Sequence, residues 1–353
     1  MSANQLKISL VQSNSIVGGT SFNAECVLVK ANEEEKKGSD LIVFPEMFLS
    51  GYQPLDLVNK WSFLENIFFQ VRKIAEKTIN LNIRILIGAP WRLNNKIYNA
   101  FISIHKGNIK TVSKKSHLPN YDVFDEKRFF VPGNGLSLLD LGKIKIGFPI
   151  CEDAWHSDII GELKKLGADL IIIPNGSPYE TNKLVDRKKI IKDRCNETNL
   201  PIIYLNLVGG QDDLVFDGGS FVCDNRGATI CQFPQFEEKT QQVIFEKREH
   251  AWVPSSGSLA DIGCHSSQDY KAIVLGLRDY VLKSNFHKVV IGLSGGIDSA
   301  LVAAMAVDAL GSDNVVCLAL PSKFNSRVSL DDAHQLSENL GVALETIPIQ
   351  EMI

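Results

Sequence analysis

The sequence predicts an α/β protein of two layered domains, and three observations carry that reading. Short runs rich in Ile, Leu and Val alternate with stretches of helical spacing through residues 1–246. A break rich in Pro, Ser and Gly follows at 247–267, which reads as a linker. From Gln268 a different strand–turn–helix texture begins and runs through residues 268–353. A length of 353 residues favours two domains over one. With 44% hydrophobic and 22% charged residues, each domain has material for a core.

Element by element, LKISLVQ (6–12), DLIVFPE (40–46), IRILIGAP (83–90), KIKIGFPI (143–150), DLIIIPN (169–175) and PIIYLNLV (201–208) read as strands. Their near-continuous branched content predicts burial on both faces, as in a sheet covered on each side. Residues 21–37, 61–79, 157–166 and 182–197 carry helical spacing. GGSFVCDNRGATICQF (218–233) reads as a hairpin turning at Asn225-Arg226-Gly227. In the second domain a helix (268–284) leads to the strand HKVVIGL (287–293). A Gly-rich turn, the Ala-rich helix 299–310, the strand NVVCLAL (314–320) and a further helix follow. That βαβ unit is the beginning of a doubly wound parallel sheet.

Bulk properties exclude several function classes. A net charge of −4 without a basic block argues against nucleic acid or an anionic membrane as partner. No apolar run reaches the roughly 18 residues that span a bilayer, and the first residues alternate like a strand rather than a signal peptide. The seven cysteines form no CxxC pair, which argues against a disulfide framework or zinc site. Six of them read as small core hydrophobes, and the expected location is the cytoplasm.

The seventh, Cys151, directly follows the strand KIKIGFPI and precedes Glu152-Asp153-Ala154-Trp155. A strand handing over to a helix makes an elbow that exposes a side chain and aims backbone N–H groups at it. A thiol becomes a useful nucleophile near neutrality with a base and a cation beside it. Glu46, ending the strand LIVFPE, fits the base, and Lys115 fits the cation. The backbone N–H of Glu152 and the Lys115 ammonium would together hold an oxyanion. Taken singly, each has a bland reading: a solvated strand end, a surface lysine, a core cysteine.

Taken together, Glu, Lys and Cys in this order, in FPE, KxxL and CED contexts, resemble the nitrilase superfamily. LPNYDVFDEKRFF (118–130), FPEMFLSGY (44–52), CEDAW (151–155), PNGSPY (174–179) and GGQDDLVFDGGS (209–220) are similar to the glutaminase domain of glutamine-dependent NAD+ synthetases. The resemblance implies a nitrilase-type αββα sandwich with Glu46 as base, Lys115 as oxyanion cation and Cys151 as nucleophile. It further implies Glu126 as an auxiliary carboxylate orienting Lys115, and Tyr121, Glu152, Ser177 and Lys183 as glutamine-binding residues. One departure is visible: residues 51–57 read GYQPLDL where the family shows GYPPEDL.

Ser294-Gly295-Gly296-Ile297-Asp298-Ser299 lies between a strand and an Ala-rich helix. Glycines permit the tight turn, and N–H groups at a helix start cradle phosphate. Without a GK[ST] ending this is no Walker A loop. SGGxDS resembles the PP-loop of ATP pyrophosphatases, which implies ATP binding over Gly292, Leu293 and residues 294–299, with Asp298 placing Mg2+ or the adenylate. LPSKFNS (320–326) and DDAHQLSENLG (331–341) resemble the NAD+ synthetase branch of that group.

The resemblance implies coupled chemistry. Glutamine is hydrolysed through a Cys151 thioester, needing no cofactor, and its ammonia amidates deamido-NAD+ at the expense of ATP, giving AMP and pyrophosphate. Homo-oligomerisation is the family expectation. With the second domain expected to be incomplete and its NVVCLAL strand exposed at an edge, the 353-residue chain is expected to act as a glutaminase only. The alternative is a stand-alone nitrilase-superfamily amidase acting on another amide, which would have no use for residues 287–320.

Overall fold

The computed structural model describes residues 4–249, 251–255, 257–323 and 326–350. The chain divides into two compact units. The first runs to Gly209 and resumes over Phe216–Gly263, and the second combines Gly210–Val215 with everything from Cys264 onward.

In the first unit the elements are β1 (Gln5–Gln12), α1 (Thr20–Lys36), β2 (Leu41–Val43), α2 (Trp61–Lys77), β3 (Arg84–Leu93), β4 (Lys96–His105) and β5 (Asn108–Lys114). There follow β6 (Leu138–Asp140), β7 (Lys145–Gly147), α3 (Ser157–Lys165), β8 (Leu170–Asn175), α4 (Lys183–Thr198) and β9 (Ile202–Asn206). The hairpin β10 (Val208–Gln211) and β11 (Leu214–Asp217) lends its tip to the second unit. β12 (Phe221–Cys223), β13 (Thr229–Gln232), β14 (Lys239–Arg248) and β15 (Ala251–Pro254) complete the set.

Apart from the β10-β11 pair, these strands form two sheets, ordered β15-β14-β1-β2-β3-β4-β5 and β13-β12-β9-β8-β7-β6. Period-two alternation decides which layer each side chain joins. Along β8, Leu170 and Ile172 point between the sheets with Leu6, Ile8, Leu10 and Val43. Their neighbours Ile171 and Ile173 point outward to meet Ile160 and Leu163 of α3 and Ile191 and Cys195 of α4. Each such buried aliphatic side chain contributes about 1.5–3 kcal/mol. α1 and α2 pack together, with α2 against β3 of the first sheet, so the layers run helix, sheet, sheet, helix.

Residues 247–267 are more than a linker. β15 pairs antiparallel with β14, and Gln232 N donates to Ser258 O at 2.9 Å along the edge of the other sheet. Four residues are too few for periodicity to reveal a strand, yet Trp252 is buried there.

The second unit holds α5 (His265–Lys283), β16 (Val289–Gly292), α6 (Ile297–Leu310), β17 (Val315–Ala319), α7 (Arg327–Leu340) and β18 (Ala343–Thr346). Its sheet is parallel, ordered β16-β17-β18. The expected exposed edge at NVVCLAL is therefore corrected. β17 is the centre of the sheet with Val315, Cys317 and Ala319 buried, because ALET pairs beside it. Ala343–Thr346 carries too little branched content to read as a strand alone. Part of LPSKFNS lies outside the described residues. Among the described residues no helix is long and apolar enough to cross a membrane.

Candidate active site

Glu46 follows β2, and the chain passes so close to β3 that a Cβ on Gly88 would lie 2.3 Å from Met47 N. Only glycine fits at that crossing, and it lets the carboxylate sit at the end of the sheet. Lys115 follows β5, its N–H bonded to Asn99 O of β4 at 2.8 Å. Lys115 Nζ donates to Glu46 Oε1 at 2.8 Å and to Glu126 Oε1 at 3.0 Å, with all three side chains buried. Glu46 Oε2 accepts from Gly176 N at 2.7 Å.

Two further donors converge here that sequence reasoning missed. Asn99 Nδ2 donates to Glu46 Oε1 at 2.7 Å and to Glu126 Oε1 at 3.3 Å, joining the two carboxylates from β4. Tyr52 OH donates to Glu126 Oε1 at 2.9 Å. Gln53, where the sequence departs from its family, uses Nε2 to bond Val123 O at 3.0 Å. A proline there would have no amide to give.

Burial dominates the electrostatics. It pushes the Glu126 carboxyl up to about 7, against the pull of Lys115 and with Glu46 adding to it. Burial alone would lower Lys115, but Glu126 and Glu46 together hold its ammonium well above the ordinary value. The Cys151 thiol is raised well above its usual range by burial and by Glu46, with Lys115 opposing. The resting nucleophile is therefore a neutral thiol that needs a base to take its proton at the moment of attack.

Cys151 opens a short 3-10 turn, Cys151–Ala154, with φ +45°, a left-handed conformation that costs a non-glycine residue roughly 1–2 kcal/mol. Asp153 holds that elbow in place. Its Oδ2 accepts from Ile150 N at 3.0 Å, and its Oδ1 accepts from Ser116 N at 3.0 Å and His117 N at 2.7 Å. One buried carboxylate thus ties the nucleophile's turn to the backbone just after Lys115. The elbow buries its thiol rather than exposing it, since Cys151 is 5% accessible. Conversely Cys264 is exposed and Cys26 only partly buried, so fewer cysteines are core than expected. Cys264 caps the start of α5 in an extended conformation, and Cys26 sits at the flank of α1 between exposed Glu25 and buried Val27.

Around the elbow, Tyr121 OH donates to Glu152 Oε2 at 2.8 Å, and burial together with Glu152 raises the phenol above its ordinary value. Ser177 directly follows Gly176. Lys183 begins α4, paired with Glu180 at 3.0 Å, its ammonium 5.4 Å from the Trp155 ring. The structure thus joins Glu46, Lys115 and Glu126 directly, couples Cys151 to them electrostatically, and links Tyr121 to Glu152.

In the second unit, residues 293–296 lead from β16 into α6, whose first turn includes Asp298 and Ser299. Gly295 has φ +81°, and a Cβ there would lie 2.0 Å from Ser329 O. Ser299 Oγ donates to Gly296 O at 2.9 Å and accepts from Ser294 N at 3.2 Å, closing the turn on itself. Beside it a cleft of about 190 Å³ is lined by Gly292, Leu293, Ser294, Leu320, Pro321 and Ser329, among others, at the C-terminal ends of the parallel strands. That is where ligands bind in open α/β sheets. Asp298 is a solitary exposed carboxylate, and among the described residues no three His, Cys, Asp or Glu gather to hold a metal ion.

A carbon-nitrogen hydrolase family model matches residues 7–246, and an NAD synthase model matches residues 269–353. The chain is 43% identical, over 98% of its length, to a glutamine-dependent NAD(+) synthetase of Rhodobacter capsulatus, and 37% identical, over 99%, to one of Thermotoga maritima. It spans 63% and 66% of those two curated relatives. A glutamine-dependent NAD+ synthetase from Acinetobacter baumannii, solved with ADP, superposes with a TM-score of 0.92 at 33% identity, covering 99% of this chain and 65% of that one. An amidase from Nesterenkonia sp. AN1 shares the fold of the first unit, with a TM-score of 0.59 at 20% identity over 67% of this chain and 92% of that one.

Proposed function

The chain belongs to the carbon-nitrogen hydrolase family, and from that premise we propose that its first unit releases ammonia from glutamine for ATP-dependent amidation of deamido-NAD+. The supporting observation is the buried Glu46–Lys115–Glu126 cluster beside a cysteine held at a strained elbow.

The chemistry follows from the charges. Cys151 Sγ attacks the side-chain amide carbon as Glu46 takes the thiol proton. The developing oxyanion is met by the Lys115 ammonium and the Glu152 N–H, donors fixed in place before the reaction starts. Glu46 returns its proton to the leaving nitrogen, ammonia departs, and a glutamyl thioester remains. Water then attacks the thioester with Glu46 again as base, and glutamate leaves. Lys115 stays charged, because Glu46 and Glu126 hold its ammonium well above the ordinary value at rest and the developing oxyanion replaces Glu46 as that carboxylate is protonated. Tyr121, Glu152, Ser177 and Lys183 fit the α-amino and α-carboxylate groups of glutamine.

The second unit's contribution rests on the NAD synthase match, the PP-loop turn and the cleft beside it. There ATP activates the nicotinate carboxylate as an adenylate, and ammonia displaces AMP. The test is glutaminase turnover in wild type and Cys151→Ala. Ammonia release by the wild type and its loss in the variant, with an unchanged circular dichroism spectrum, is the expected result. Equal turnover in both would remove the cysteine from the mechanism.

A further inference from the structure

Arg187, on α4, is 1% exposed and lies outside every motif that marked the site. Its Nε donates to Ser177 Oγ at 3.2 Å, and its NH2 group donates to Ser177 O at 2.9 Å and Pro178 O at 2.7 Å. Its NH1 group donates to Asp217 Oδ1 at 2.8 Å and Oδ2 at 3.0 Å. A guanidinium has five N–H donors in a rigid fork, and these five contacts use them all. The charge is matched as well, since burial would lower Arg187 but Asp217 raises it. Gln235 Nε2 anchors Asp217 from behind at 2.7 Å. Asn206 completes the cradle, its Oδ1 accepting from Ser177 N at 2.9 Å and its Nδ2 donating to Ser177 O at 3.0 Å.

We infer that Arg187 is a positioning residue for substrate, which fixes Ser177 so that its hydroxyl proton is aimed at the α-carboxylate of glutamine. With every donor occupied and its charge paired, Arg187 has nothing left to give a ligand directly. What it controls is Ser177. Because Ser177 Oγ accepts from Arg187, its own proton goes to an acceptor, the neighbouring Tyr204 hydroxyl or a substrate carboxylate that displaces it. The same guanidinium pins the Ser177 and Pro178 carbonyls, and Gly176, one residue earlier, donates to Glu46. A lysine, with one ammonium and no fork, cannot reproduce five directed bonds.

This inference rests on the glutamine reading, and the experiment separates the two. Steady-state glutamine hydrolysis is compared in wild type, Arg187→Lys and Ser177→Ala. A further variant, Arg187→Met with Asp217→Leu, replaces the buried pair by apolar side chains that a core tolerates. KM for glutamine should rise roughly 10- to 100-fold in each, the effect of losing a hydrogen bond to a charged group, with a much smaller change in kcat. Adding Ser177→Ala to Arg187→Lys should raise KM no further. Cys151 is also challenged with two electrophiles and read by peptide mapping, since Cys264 is exposed. Iodoacetamide, which lacks an amino-acid end, should label Cys151 at the wild-type rate. 6-Diazo-5-oxo-norleucine, which has one, should label it at least tenfold more slowly. Unchanged KM in the variants, additive effects of the two substitutions, or equal slowing with both electrophiles would each overturn the inference. Wild-type protein without saturable glutamine turnover would instead overturn the function reading, and this inference with it.

Discussion

Replacing Glu126 by Gln tests the electrostatics of the buried cluster more sharply than an activity assay does. The side chain is 4% exposed, and its carboxyl moves from 4.5 to about 7 on folding, so the folded protein holds a proton that the unfolded chain releases. Stability from such a group is fully present below pH 4.5 and is lost as pH rises through about 7. At 1.36 kcal/mol per pH unit, ionising Glu126 in place withholds about 3 kcal/mol from the first unit above that range. Glu126→Gln keeps the size and the acceptor for Lys115, Tyr52 and Asn99 but cannot titrate. The variant's stability, relative to wild type, should therefore climb by up to about 3 kcal/mol between pH 5 and 8. All four tryptophans, Trp61, Trp91, Trp155 and Trp252, lie in the first unit, so their emission during urea unfolding reports that unit alone. Parallel pH–stability curves for the two proteins would refute the reasoning, because the carboxyl would then titrate alike in both states.

Glu46→Gln and Lys115→Met should each lower kcat/KM for glutamine by about 10²–10⁴-fold, and the double variant should be scarcely worse than the poorer single one. Near-wild-type turnover in either single variant would take that residue out of the reaction. Gly295→Ala should abolish the thermal shift that ATP gives the second unit, since the added methyl would meet the Ser329 carbonyl at 2.0 Å and the residue must keep φ +81°. Full ATP protection in that variant would show that the turn tolerates a side chain and does not grip phosphate as its geometry suggests.

What the sequence made legible was set by the range of the interactions involved. Glu46, Lys115 and Cys151 each end a strand in a distinctive local context, and β2, β5 and the Cys151 turn bring them to one end of the sandwich. The near-continuous apolar runs that predicted β1, β8 and β9 are buried on both faces, so hydrophobicity alone exposed them. β5 escaped because NIKTVSK has just two apolar residues, Ile109 and Val112, three positions apart, so neither a continuous apolar run nor period-two alternation marks it. β15 and β18, at four residues each, are defined by their partners β14 and β17 and not by their own composition.

The residues that escaped notice share a physical character: their partners are distant in sequence. Asn99 meets Glu46 across 53 positions, and Arg187 meets Asp217 across 30. An Arg on a helix with helical neighbours reads as solvated, and only the fold reveals that α4 turns this one inward onto a buried carboxylate. Asp153 was visible in CEDAW, yet its task of joining Ile150, Ser116 and His117 exists only once two loops meet. Local chemistry therefore names the groups that react, whereas the groups that hold them at reacting distance emerge from tertiary contact. A nucleophile held at φ +45° depends on the second set as much as on the first, because nothing in its own backbone preference would keep it there.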